Sequence, residues 1–76
     1  MSFQSYLTSI EAKTGRRPDD FRREAAARGL VADGVLAPGV TAKRVTEWLK
    51  ADHGLGHGHA MAIYALLTGR KKEGDE

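Results

Sequence analysis

Four glycines frame this chain: Gly15, Gly29, Gly54 and Gly69 each follow a run of helical character. A glycine just past such a run closes a helix in a left-handed cap, a conformation that a Cβ disfavours. The runs are short, so the chain is limited to a few short helices packed on one another. The first run places Phe3, Tyr6, Leu7 and Ile10 at helical spacing behind Ser2 as N-cap, which predicts a helix over about residues 2–14. Pro18, followed by Asp19 and Asp20, suits the start of a second helix over about 18–28, because proline fits a first turn and acids favour the positive end of the helix dipole. Its apolar face is thin, Phe21 and Ala25 with Leu30 beyond, and Arg22, Arg23 and Arg28 are assigned to water.

Residues 30–40 carry the turn signal Asp33-Gly34 and the pair Pro38-Gly39, and predict an ordered connection with room for two very short strands. Thr41 is the expected N-cap of a third helix with Val45, Trp48 and Leu49 on one face, and Trp48 is expected at the centre of the core, against the first and fourth helices. The fourth helix is expected from about His57 to Thr68, with Met61, Tyr64, Ala65 and Leu67 as its inward residues. The fold class is therefore all-α: one small domain of about four helices over 1–71, the last two forming a hairpin. Residues 72–76, a charged stretch without apolar side chains, are expected to form a disordered tail.

Size and charge narrow the function. A chain of 76 residues buries roughly 60% of its unfolded surface, which leaves a thin core and argues against a deep catalytic cleft. There is no Cys, so disulfides, zinc ribbons and thiol chemistry are excluded, in keeping with a reducing cytoplasm. No apolar run approaches the ~20 residues that span a bilayer, and the opening MSFQSY has neither a basic nor an apolar leader region, so a cytoplasmic protein without membrane contact is expected. Residues 1–40 carry six basic and five acidic side chains, residues 41–72 six and two, and residues 73–76 three acids. The basic second half could steer a polyanion, although it lacks the dense stripe of a committed nucleic-acid binder.

The stretch Gly54-Leu55-Gly56-His57-Gly58-His59-Ala60 is the most unusual in the chain. Gly54 ends a helix, whereas Gly56 and Gly58 call for another reason. They either let the third and fourth helices pack closely across the turn, or expose backbone N–H groups at the start of the fourth helix to an anion. Gly54-Leu55-Gly56 with Ala60 four residues on resembles the helix-hairpin-helix motif, which implies a DNA-backbone phosphate held by Gly54, Gly56 and the amides around His57, Gly58 and His59. His53 stands where that motif has proline, and His57 where it has lysine or another polar residue.

A wider resemblance covers nearly the whole chain. The opening MSFQSYL, EAKTG at the end of the first helix, RPDDF at the start of the second and the block PGVTAKRVTEWLKADHGLGHGHAMAI resemble a bacterial family of small proteins catalogued as a domain of unknown function. The resemblance implies a bacterial, cytosolic, helical protein and supplies no activity or catalytic residues. Arg17 departs from it, since Thr or Ser is expected before Pro18.

His53, His57 and His59 lie close in sequence, yet His57 and His59 diverge by about 200° on a helix, and only Asp52 stands near to complete a metal set. No metal, cofactor or catalytic group is therefore expected: serines and threonines fall on helices and caps, and Asp19-Asp20 suit a helix start. The expected function is a small non-catalytic binding module, taking part in protein interaction or regulation. The alternative is non-specific binding of a DNA backbone by the turn, helped by Lys43, Arg44, Lys50, Arg70 and Lys71.

Overall fold

The computed structural model describes residues 2–75. Helix α1, Phe3–Thr14, starts where the Ser2 hydroxyl accepts the Ser5 N–H at 3.2 Å and stops at Gly15, whose φ of 74° turns the chain left-handed. It buries Phe3, Leu7 and Ile10, one face at helical spacing. Helix α2, Pro18–Ala27, has proline in its first turn. Arg17 offers no acceptor there, and the Asp20 carboxylate makes the reciprocal contact by accepting the Arg17 N–H at 2.9 Å. That bond holds the Asp20 carboxyl below its ordinary value.

Both α2 and α4, His57–Leu67, end in paired bonds across a glycine. Gly29 and Leu30 donate to the carbonyls of Ala26 and Ala25, and Gly69 and Arg70 donate to those of Leu66 and Ala65. Between α2 and α3, Ala42–His53, a two-residue turn at Asp33-Gly34 joins strands β1, Val31–Ala32, and β2, Val35–Leu36. The strands run antiparallel with Val31 opposite Leu36, and φ is 54° at Asp33 and 81° at Gly34. Thr41 caps α3 as expected, its hydroxyl accepting the Arg44 N–H at 3.2 Å.

Helix α4 is the hub against which α1, α2 and α3 pack. It buries Ala60, Ala62, Ile63, Leu66 and Leu67. Of the inward set expected from the sequence, Leu67 is buried, Tyr64 and Ala65 are half-buried, and Met61 is 37% exposed. The helix is apolar around most of its circumference, so its periodicity does not reveal which side faces the core. The most enclosed large side chains are Ile10, Phe21, Val45, Leu49, Ile63 and Leu67. Trp48 is buried within the same core but is not among its most enclosed side chains, and its ring meets His53 edge-on and the Arg28 guanidinium.

Candidate functional site

Three glycines give the α3–α4 turn its character, and they are not there for one reason. Gly54 has φ 65° and accepts the left-handed step, and Leu55 behind it is 2% exposed, anchoring the turn in the core. Gly56 and Gly58 are exposed, neither has positive φ, and a Cβ built on either meets no atom within 4 Å. The fold therefore needs no glycine at 56 or 58, and close packing of α3 on α4 does not account for them. Ala60, completely buried one turn into α4, is the small residue enclosed by the core. Gly58→Ala should raise the midpoint of urea unfolding by the equivalent of about 0.5–1 kcal/mol, since alanine loses less entropy in a helix. A fall in that midpoint would show that the bare position is needed for stability.

The histidines have separate environments. His53, with 5% of its side chain exposed, places Nε2 at 3.2 Å from Glu24 Oε1. Its ring lies edge-on to Phe21 and Trp48 at centroid distances of 5.1 and 5.8 Å. His57 is exposed, and His59 sits edge-on to Tyr6 at 5.8 Å. Among the described residues no three His, Cys, Asp or Glu side chains gather into a metal-ligand set.

The sequence reading missed the network around His53. Glu24 also has the Arg16 guanidinium at 3.4 Å and that of Arg28 at 3.8 Å, and Arg28 pairs with Asp52 of α3. The hint in the sequence was Glu24 itself, an acid three residues past Phe21 on the apolar side of α2. The network fastens α2 to α3, so His53 and Asp52 belong to the scaffold.

The basic residues grouped by the sequence are not assembled around the turn. Lys50, exposed in the last turn of α3, is beside it. Lys43 and Arg44 lie in the first turn of α3, about 15 Å from the turn at 1.5 Å rise per residue, and Arg70 and Lys71 follow the far end of α4. Arg44 instead borders a cleft of 480 Å³ with Arg28, Leu30, Glu47 and Trp48. Arg70 and Lys71 close one end of a groove of 350 Å³ between α1 and α4, lined also by Phe3, Tyr6, Gly58, Met61, Ala62 and Ala65.

These features define a small all-α domain built on a glycine-turned helical hairpin, with a shallow apolar groove at its surface. No helix among the described residues is long and apolar enough to cross a membrane. The chain belongs to the family described as a domain of unknown function (DUF4287), which matches over residues 2–69. No curated protein and no solved structure matches it.

Proposed function

We propose that the chain is a non-catalytic binding module that takes a segment of another protein into the groove between α1 and α4. The observation that carries this reading is the 37% exposure of Met61 inside a groove lined by Gly58, Ala62 and Ala65. Small side chains permit close approach of a second backbone, and a flexible thioether adapts to the shape of what it meets. A photo-crosslinking residue placed at position 61 should capture a protein, with a crosslink that survives nuclease and ~0.5 M salt, because apolar contact is poorly screened. The same residue at Glu47, exposed on another face, should capture nothing. Equal capture at both positions would remove the groove from the proposal.

A second reading is favoured by Gly56 and Gly58, whose backbone is open to solvent without any internal requirement for it. The N–H groups at the start of α4 would donate to the oxygens of a backbone phosphate, with the Lys50 ammonium and the His57 ring nearby. In that case a crosslinker at position 57 yields a nucleic-acid adduct. Amide signals of residues 56–58 then shift on adding duplex or single-stranded DNA, an effect that fades steeply as salt is raised.

A further inference from the structure

Residues 72–75 lie beyond the span matched by the family, yet they make polar contacts with residues inside it. The Glu73 carboxylate takes a two-pronged contact from Arg22, Nη2 to Oε1 at 2.7 Å and Nη1 to Oε2 at 2.9 Å. The next residue, Gly74, donates its N–H to Gln4 Oε1 at 2.8 Å. Asp75 then offers its backbone carbonyl to the Gln4 N–H at 3.2 Å, in the first turn of α1. The segment holds its own shape through the Lys72 N–H, which donates to Asp75 Oδ2 at 2.9 Å. Three successive residues are thus read by a fixed set of donors and one acceptor on α1 and α2.

We infer that Arg22 and Gln4 form a receptor for a short acidic turn, a carboxylate side chain followed by two backbone contacts, which residues 73–75 fill in cis. The ligand class is an acidic peptide segment, and the inference does not rest on the groove between α1 and α4. Paired guanidinium–carboxylate geometry selects a carboxylate over a neutral amide, and the Gln4 contacts fix the direction of the chain. The Arg22–Glu73 pair is partly exposed, with 36% and 44% of the two side chains accessible, so each contact is weak and the site exchanges readily. A tail on so short a tether is presented at an effective concentration on the order of millimolar. A competing segment succeeds only when it adds contacts elsewhere on the domain, which couples this site to whatever else the module binds.

The test uses the full chain, labelled with ¹⁵N, and two variants, Glu73→Gln and Arg22→Gln. In the unaltered chain at neutral pH the Gly74 and Asp75 amides should relax like those of α1, and in Glu73→Gln they should become mobile on the ps–ns scale. The peptide Lys-Glu-Gly-Asp-Glu should then shift the Gln4 amide and the Arg22 side chain of Glu73→Gln with an apparent affinity about three-fold or more above that for the unaltered chain. Arg22→Gln, with helical content unchanged by circular dichroism, should show neither docking nor peptide binding. Acid should release the tail as well. Arg22 holds the Glu73 carboxyl at about 2 against its ordinary 4.5, Asp19 being the other acid on the same guanidinium. The contribution is therefore complete above about pH 4.5 and is lost as the pH falls toward 2. Tail amides already mobile in the unaltered chain, or equal peptide affinity in all three proteins, would overturn the inference.

Discussion

Phe21→Ala should lower stability by about 3–5 kcal/mol and move the unfolding transition to markedly lower urea. Phe21 is 1% exposed and is the largest side chain so enclosed. Truncating it removes apolar burial and opens a cavity that a thin core closes poorly. A domain of this length holds on the order of 4–11 kcal/mol in total, so one such loss takes a large share. The ring also supports His53 edge-on at 5.1 Å, so the variant loosens the ion-paired seam between α2 and α3. A urea melt read by circular dichroism decides the matter: a midpoint close to that of the unaltered chain would mean that Phe21 does not hold the core.

Ala60→Leu should also destabilise the domain, although it adds apolar surface. Ala60 has no exposure, and its N–H donates to Gly56 at the first closed turn of α4. A leucine there must push α4 away from its neighbours, with a penalty of about 1–3 kcal/mol. Met61→Leu, one residue along and 37% exposed, provides the control and should shift the thermal midpoint little. Similar midpoints for the two variants would mean that the helices yield more readily at Ala60 than its enclosure implies.

Helix limits were legible because capping is local chemistry: Ser2, Thr41, Gly15 and Gly54 act within a few residues of where they stand. The Asp33-Gly34 turn was legible for the same reason. Placement of side chains between elements was not. Met61 belongs to a helix apolar almost all round, so no stripe marked its outward side, and the Arg28 guanidinium that meets the Trp48 ring comes from the end of α2, which no local pattern announces. Arg22, assigned to water, instead joins Asp19 and Glu73. The expectation of disorder for 72–76 weighed apolar content alone; residues 72–75 make polar contacts, and Glu76 lies outside the described residues. Within the candidate site, Gly56 and Gly58 stood out in the sequence. The separation of Lys43 and Arg44 from Arg70 and Lys71, and of both pairs from the turn, is spatial and had no local signal.

The turn between α3 and α4 has a kinetic consequence. Only Gly54, Leu55 and Gly56 separate the two helices, so bringing them together closes a very small loop and loses little chain entropy. Helix α1 packs on the same α4 from the far end of the chain, and its docking must close a loop that contains every other element. The hairpin is thus expected to form first and α1 to dock last. By the same reasoning α1 is the first to lift away in the folded protein, and its amides should exchange with solvent ahead of those of α3. The groove lined by Phe3, Tyr6 and Met61 lies along that seam, so the segment proposed to dock there would meet the helix expected to open first.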